Sequence, residues 1–214
     1  QVLDYLDERS EAADIIGAVN PVVVREDGKL FGENTDGKGF VEALHRAGVT
    51  LDKKHVTILG AGGAARAIAV ECALAGAKDI AIINRTLSRA QELAELICKR
   101  TKAKGTALAW KANMAVPAQT AILVNATCIG LMPDCGALPD LDYDTITSQM
   151  TVSDVVFNPS FTGFLAEAQK RGAKTVSGLG MLACQGARNF TLWTGKEAPL
   201  EIMEQKLCEE FGEA

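Results

Sequence analysis

The sequence predicts an α/β protein built on a doubly wound parallel sheet, and three observations support this fold class. From Val56 onward, short apolar segments alternate with helical segments, which is typical of right-handed βαβ units with helices on both faces of a sheet. A glycine-rich turn joins the first of these strands to a helix of small residues. The composition, with 48% apolar and 23% charged residues, is that of a globular protein.

The segments before the main sheet are predicted to be short. Spaced apolar residues over 2–13 predict a helix. An Asp-Gly turn between apolar runs at 22–25 and 30–32 predicts a β-hairpin. A helical stripe over 37–47, ended by Gly48, predicts a second helix.

Apolar periodicity predicts the remaining elements in order. The predicted strands are 56–59, 79–83, 106–109, 121–125, 152–157 and 173–176, and the helices between them are 64–76, 88–100, 142–150 and 161–171. The last forty or so residues differ, because two helices, 179–193 and 199–211, follow one another with no strand between them.

The turn after the first strand has the Gly-x-Gly-x-x-Ala spacing of a dinucleotide-binding fingerprint, which predicts a Rossmann-like domain. Gly60 permits the tight turn, Gly62 lets the backbone approach a pyrophosphate, and Ala65 lets helix and strand pack closely. Free N–H groups in the first turn of the helix can donate hydrogen bonds to the phosphates, and the helix dipole favours negative charge there. The predicted cofactor-binding residues of this turn are Gly60, Ala61, Gly62, Gly63, Ala64 and Ala65.

The end of the second strand indicates which dinucleotide binds. An NAD site usually carries Asp or Glu here, which accepts a hydrogen bond from the ribose 2′-hydroxyl. This chain has Asn84, Arg85 and Thr86, followed by Arg89, and guanidinium groups suit a 2′-phosphate. The sequence therefore predicts NADP as the cofactor. The alternative is a strand-to-helix turn whose arginines merely face solvent.

Charge and cysteine usage exclude several classes of protein. The net charge of −5 argues against a nucleic-acid or anionic-membrane surface, and no apolar run approaches the ~20 residues that span a bilayer. The six cysteines show no Cys-x-x-Cys pair and no histidine at metal-ligand spacing, so we expect reduced thiols and no metal site. The acidic N-terminus does not read as a signal peptide, and a cytoplasmic protein is expected.

Eight motifs, in order along almost the whole chain, resemble the shikimate/quinate dehydrogenase family. They are Gly17-Ala-Val-Asn20, Asn34-Thr-Asp36, Gly60-Ala-Gly-Gly-Ala-Ala65, Asn84-Arg-Thr86 with Arg89, Asn125-Ala-Thr127 with Gly130, Asp154-Val-Val-Phe-Asn-Pro159, Gly178-Leu-Gly-Met-Leu-Ala-Cys-Gln185 and Leu192-Trp-Thr-Gly195. The resemblance implies an oxidoreductase of the shikimate pathway of aromatic amino-acid biosynthesis. It would reversibly reduce 3-dehydroshikimate to shikimate with NADPH, and some members also act on quinate.

The resemblance also implies roles for individual residues. Asp36 would handle the transferred proton together with a lysine, and Asn20, Asp36 and Gln185 would bind the substrate. Each has a structural alternative: Asp36 as the N-cap of the helix that follows, Asn20 as a loop residue, and Gln185 as a hydrogen-bonding residue of the core. On the cofactor side, the residues implied for the ribose and nicotinamide are Asn125, Ala126, Thr127, Val155 and Gly178.

Some residues depart from the family pattern. Pro21 replaces a threonine, and Phe157, the fourth substrate-binding residue that the resemblance implies, stands where a tyrosine usually offers its hydroxyl to the substrate. Cys128 and Leu131 also replace commoner residues. These departures leave the choice between shikimate and quinate open.

We expect two lobes: a Rossmann-like NADP domain over 36–177, and an incomplete α/β substrate-binding lobe from 1–35 and 178–214. The family's catalytic lysine would fall before Gln1, so the chain alone is expected to be inactive or weakly active. Lys29 and Lys38 are the nearest substitutes, although a hairpin turn and a helix surface explain them better.

Other functions stay open. One is a non-catalytic module that binds NADP or a pathway metabolite, and another is a methylene-tetrahydrofolate dehydrogenase. Asn20, Asp36 and Gln185 together favour the enzyme over the module, because a nucleotide sensor has no need of them. Asn34-Thr-Asp36 and Gly178-Leu-Gly-Met181 argue against the folate enzyme. The expected partner is a small-molecule substrate, and monomer or homodimer is undecided.

Overall fold

A small three-stranded sheet precedes the main sheet in the computed structural model, which describes residues 2–212. The elements of this first part are a 3-10 helix (Val2–Tyr5), β1 (Glu8–Arg9), α1 (Glu11–Ile16), β2 (Val22–Val24), β3 (Leu30–Gly32) and α2 (Asp36–Arg46). β2 and β3 form the predicted hairpin, and β1 pairs in parallel with the other edge of β3.

The single helix predicted over 2–13 is wrong, because β1 interrupts it. Glu8 pairs with Phe31 of β3, so the chain is extended between the 3-10 helix and α1. α1 then begins after Ser10, whose hydroxyl oxygen accepts a hydrogen bond from the Ala13 N–H at 3.1 Å. The short β1 escapes detection because its two residues are both exposed and carry no apolar alternation.

The second part of the chain runs from β4 to α7. Its elements are β4 (His55–Leu59), α3 (Gly63–Leu74), β5 (Asp79–Asn84), α4 (Leu87–Arg100), β6 (Lys104–Ala109), β7 (Met114–Ala115), β8 (Ile122–Asn125), β9 (Leu141–Asp142), a 3-10 helix (Tyr143–Thr145), β10 (Thr151–Asp154), α5 (Gly163–Lys170), β11 (Lys174–Val176), α6 (Gly178–Thr194) and α7 (Leu200–Phe211). Six of these strands form the main sheet, all parallel, in the order β11-β10-β8-β4-β5-β6, and β7 and β9 form a separate two-stranded sheet. The strand order reverses between β4 and β8, which confirms the predicted doubly wound, Rossmann-like α/β fold.

The helix predicted over 142–150 is also wrong. The segment forms the two-residue β9, which pairs with β7, and then one 3-10 turn. Three consecutive β-branched residues, Thr145-Ile146-Thr147, disfavour a longer helix. The side chains of Ile146 and Met150 are nevertheless buried, which explains why the apolar pattern resembled a helix.

Both faces of the main sheet are buried. The central strands β4, β5 and β8 contribute Ile58, Ile82 and Val124 to one face, and Leu59 and Leu123 to the other, all fully buried. Continuous apolar strands of this kind are typical of a parallel sheet covered by helices on both sides. Among residues 2–212, no helix is long and apolar enough to cross a membrane.

Two glycines let α2 lie against two other helices at backbone contact distance. A Cβ atom added at Gly37 would lie 2.3 Å from the carbonyl oxygen of Ala67 in α3. A Cβ atom at Gly39 would lie 2.7 Å from the backbone nitrogen of Gln185 in α6. Neither contact involves a flexible side-chain end, so neither can be relieved without moving a helix. The first turn of α2 is therefore fixed between α3 and α6.

We expect Gly37→Ala to destabilise the protein, because the added methyl group forces α2 away from the α3 backbone. Overpacking of this kind costs about 1–3 kcal/mol or more in the free energy of unfolding. Gly63→Ala is the matched control, since it is also a first-turn helical glycine and a Cβ atom there meets nothing within 4 Å. Urea unfolding of both variants measures the difference, and equal stabilities would contradict the packing argument.

Candidate functional site

A cavity of about 530 Å³ lies at the carboxyl edge of the main sheet, beside the ends of β4, β5, β8 and β10. In open α/β sheets, ligands bind at this edge, where the strand order reverses. The sequence-predicted residues that line the cavity are Gly60, Ala61, Gly62, Gly63, Ala64, Asn84, Arg85, Arg89, Ala126, Thr127, Val155 and Phe157. The predicted residues Ala65, Thr86, Asn125 and Gly178 are not among its lining residues.

The glycine-rich turn has the geometry that the fingerprint predicts. Gly60 has a φ of +105°, and a Cβ atom there would lie 2.8 Å from the carbonyl oxygen of Ala126. α3 starts at Gly63, and no side chain caps its first turn. The N–H groups of that turn lack partners within the helix, so the cavity wall carries a partial positive charge. Ala65 is fully buried, which is consistent with close packing of helix and strand.

Arg85 and Arg89 lie at the β5 end of the cavity and are both exposed. Neither side chain forms an ion pair or a hydrogen bond with any residue in the range 2–212. The turn that carries them is held by Asn84, whose Nδ2 donates to the Thr86 carbonyl oxygen at 2.9 Å. Two unpaired guanidinium groups beside a fingerprint turn fit the additional phosphate of NADP.

A buried carboxylate, Asp154, connects the segments that line the cavity beside β8 and β10. Its Oδ1 accepts from Asn125 Nδ2 at 2.9 Å, and its Oδ2 accepts from the Thr162 hydroxyl at 2.7 Å. The backbone N–H of Val156 donates to Oδ1 at 3.0 Å. The side chain is 1% exposed, and this burial raises its pKa to about 6. Asp154 therefore joins the ends of β8 and β10 to the start of α5.

The Asn125 side chain stabilises the loop after β8 through hydrogen bonds. It is fully buried, and its Oδ1 accepts from the Thr127 hydroxyl at 2.7 Å. The adjoining Ala126 and Thr127 are the loop residues that line the cavity. Gly178, at the start of α6, packs against backbone as well, since a Cβ atom there would lie 2.5 Å from the Val156 carbonyl oxygen. Asn125 and Gly178 thus position cavity-lining residues.

A polar cluster forms where the small sheet meets α2. Asn20 Nδ2 donates to Asp36 Oδ1 at 2.9 Å and to the Thr35 hydroxyl at 2.8 Å, and Asn20 Oδ1 accepts from the Thr35 N–H at 2.8 Å. Asp36 is the first residue of α2, and the N-cap position is Thr35, so the alternative of Asp36 as the N-cap is wrong. Partial burial raises the pKa of the Asp36 carboxyl, which favours its protonated form.

α6 completes this cluster with residues on one face. The Thr35 hydroxyl donates to Asn189 Oδ1 at 2.7 Å. Gln185, one helical turn earlier, is half-buried, and its amide makes no hydrogen bond to the described part of the chain. The alternative of Gln185 as a core hydrogen-bonding residue therefore finds no support. Asn189 was missed by the sequence reasoning, although its i+4 spacing from Gln185 was a usable signal.

Neither nearby lysine is placed to act with Asp36. Lys38 Nζ donates to Glu33 Oε2 at 2.7 Å, and its position two residues after Asp36 directs it to a different side of α2. Lys29 lies in the hairpin, 3.6 Å from Glu8 and 3.5 Å from Asp27. The structural explanation for both lysines is therefore supported.

Phe157 lines the cavity from the segment after β10. Its ring meets that of Phe211 in α7 edge to face, with the ring centroids 5.5 Å apart. An apolar contact thus occupies the position where the resemblance implies a tyrosine hydroxyl. Because α7 supplies this partner, the C-terminal helix reaches the part of the cavity wall that follows β10.

The sequence matches two family models. The model described as shikimate / quinate 5-dehydrogenase matches residues 42–127, and the model of the shikimate 5′-dehydrogenase C-terminal domain matches residues 178–208. The NADP(+) shikimate dehydrogenase of Desulforamulus reducens is 42% identical over 210 residues, which are 97% of this chain and 72% of the relative.

Solved structures of related proteins are also similar to this chain. The 5-ketofructose reductase of Gluconobacter sp. strain CHM43 is 48% identical with a TM-score of 0.93, over 98% of this chain and 75% of that one. Shikimate 5-dehydrogenase from Listeria monocytogenes, solved with shikimate and NAD, is 38% identical with a TM-score of 0.88, over 97% of this chain and 73% of that one. On these matches, together with the geometry of the cavity and the polar cluster, the chain belongs to the shikimate/quinate dehydrogenase family.

Proposed function

We propose that this protein is an NADP-dependent shikimate dehydrogenase that reversibly reduces 3-dehydroshikimate to shikimate, with quinate as a further candidate substrate. The observation that carries the proposal is the pairing of two sites. One site is the cavity at the carboxyl edge of the main sheet, with its two unpaired arginines. The other is the polar cluster of Asn20 and Asp36, together with the Gln185 amide, which has no hydrogen-bond partner in the described chain. A module that only senses a nucleotide has no use for the second site.

Asp36 is the proposed catalytic residue of this chain. NADPH, when bound, supplies the hydride that reduces the ring ketone. Asn20 orients the Asp36 carboxyl, and partial burial makes that carboxyl hold a proton more readily. It can therefore exchange a hydrogen-bonded proton with a substrate hydroxyl, as general acid–base assistance requires. The resemblance implies that a lysine shares this work, and neither Lys29 nor Lys38 is proposed for that role.

The cofactor contacts are proposed along the cavity. The turn from Gly60 to Ala65 receives the pyrophosphate, and Arg85 and Arg89 receive the 2′-phosphate, with Asn84 and Thr86 shaping their turn. The nicotinamide side is formed by Ala126, Thr127 and Val155, positioned by Asn125 and Gly178. We further propose the lobe division 36–177 against 1–35 with 178–214, and a cytoplasmic location.

A second candidate function is the reduction of a ketose. The relative named 5-ketofructose reductase is 48% identical, more than the 38% of the shikimate-bound Listeria enzyme. Phe157 packs on Phe211 and offers no hydroxyl, so the substrate side is less polar than the family pattern implies. This candidate retains NADPH and Asp36 and differs only in the substrate.

The cofactor assignment predicts the effect of removing both arginines. Replacing Arg85 and Arg89 with Ala removes two charge-assisted interactions of about 1.5–3 kcal/mol each, which corresponds to at least a ~100-fold loss of NADP affinity. NAD affinity should hardly change. Arg100→Ala is the matched control, because Arg100 lies at the far end of α4 and pairs with Asp14. Titration of both cofactors measures the effect, and an equal loss for NAD and NADP would contradict a 2′-phosphate contact.

The substrate assignment is tested by kcat/KM of the protein with 3-dehydroshikimate, the ketone derived from quinate, and 5-ketofructose, each reduced with NADPH. Shikimate dehydrogenase activity requires 3-dehydroshikimate to be the best of the three. Phe157→Tyr adds a hydroxyl in the cavity and should change the ratio of kcat/KM for shikimate and quinate, because a ring hydroxyl gains a partner there. Phe161→Tyr, at an exposed residue nearby in sequence, should leave the ratio unchanged. Preference for 5-ketofructose would overturn the first assignment in favour of the second.

A further inference from the structure

We propose that Trp110 is the residue on which the adenine ring of the cofactor lies, an inference that rests on the proposed NADP site. Trp110 directly follows β6 and lines the cavity together with Asn84, Arg85 and Arg89. It belongs to none of the motifs that carry the family resemblance. The fingerprint glycines lie further along the same cavity, so this end is the adenosine end.

The covalent structure of NADP places its adenine near Trp110. The 2′-phosphate and the adenine are attached to adjacent carbon atoms of one ribose. If Arg85 and Arg89 hold the phosphate, the adenine ring must therefore lie against the wall next to them. Among the described residues that line the cavity, the aromatic ones are Trp110 and Phe157.

Phe157 is too far away to serve the same ring. It follows β10, whereas Trp110 follows β6, and these strands are separated by β8, β4 and β5. Four strand spacings of ~4.8 Å put the two strands about 19 Å apart. Phe157 therefore lies at the nicotinamide and substrate end, and Trp110 is the aromatic residue of the described lining that can contact the adenine.

The indole is held in place before any ligand binds. Its Nε1 donates to the Asp140 carbonyl oxygen at 2.9 Å, and the Trp110 backbone N–H donates to the Asn84 carbonyl oxygen at 3.1 Å. The ring also packs against the buried cluster that includes Leu59 and Ile83. A flat ring that is already oriented loses little conformational entropy when a base stacks on it.

The two arginines and Trp110 contact different parts of the cofactor. Arg85 and Arg89 distinguish NADP from NAD, because only NADP carries the 2′-phosphate. Trp110 contacts a part that both dinucleotides share, so it contributes equally to both. Aromatic–base stacking depends on ring area and on the electron-rich faces, and another aromatic residue should replace much of it.

The chain contains two tryptophans, so replacing one of them with Phe leaves the fluorescence of the other to be observed alone. Trp193 is the matched control, because it is 60% exposed and its Nε1 donates to the Val22 carbonyl oxygen, away from the cavity. The probe is adenosine 2′,5′-bisphosphate, which carries the adenine and the 2′-phosphate but no nicotinamide. We expect it to change the fluorescence of the wild type and of Trp193→Phe, and to leave Trp110→Phe unchanged.

Affinity provides the second measurement. Trp110→Ala should raise the Kd for NADP, NAD and adenosine 2′,5′-bisphosphate by about tenfold each, and Trp110→Phe should recover most of the loss. A fluorescence change that survives in Trp110→Phe, or unchanged affinities in Trp110→Ala, would overturn the role of Trp110. A wild type that binds no NADP would instead overturn the proposed function, so the two failures are distinguishable.

Discussion

The seating of α2 between α3 and α6 is the constraint on which the rest of the site depends. Gly37 and Gly39 bring α2 within backbone contact of both helices. α3 starts at the fingerprint turn, α6 carries Gln185, and α2 itself begins with Asp36. Any side chain at these glycines would move Asp36 relative to both binding surfaces. Backbone contact thus fixes the distance between the cofactor cavity and the polar cluster.

Two hydrogen-bond networks of polar side chains also fix the geometry of the site. Asp154 lies in the protein interior, where a charged carboxylate is unfavourable unless it is hydrogen-bonded. Hydrogen bonds from Asn125, Val156 and Thr162 offset the cost of burying this carboxylate. The same bonds connect the loops of the cavity. At the other site, Asn20 has the same function, because one amide group orients both Thr35 and Asp36. Both networks consist of bonds within the protein, so they orient these side chains without a bound ligand.

Much of the fold could be predicted from the sequence, because strongly periodic strands and helices carry local signals. The fingerprint turn, the hairpin and the two C-terminal helices are confirmed. The errors fall on short segments, since β1 has two residues, and 142–150 buries apolar side chains without forming a helix. Lining residues such as Arg85 were predictable from motif spacing. Asp154 belongs to a family motif but received no role of its own, and Trp110 and Asn189 were not predicted, because the contacts of all three join segments far apart in the chain.

The most direct test of the proposed role of Asp36 is the kinetics of the Asp36→Asn variant of the protein. The substitution keeps the size of the side chain but removes the ability to exchange a proton. We expect kcat for 3-dehydroshikimate reduction to fall by at least ~100-fold, because general acid–base assistance is typically worth about 10²–10⁴ in rate, while the Kd for NADP stays within about twofold. Wild-type turnover in this variant, or a parallel loss of NADP affinity, would contradict the catalytic role assigned to Asp36.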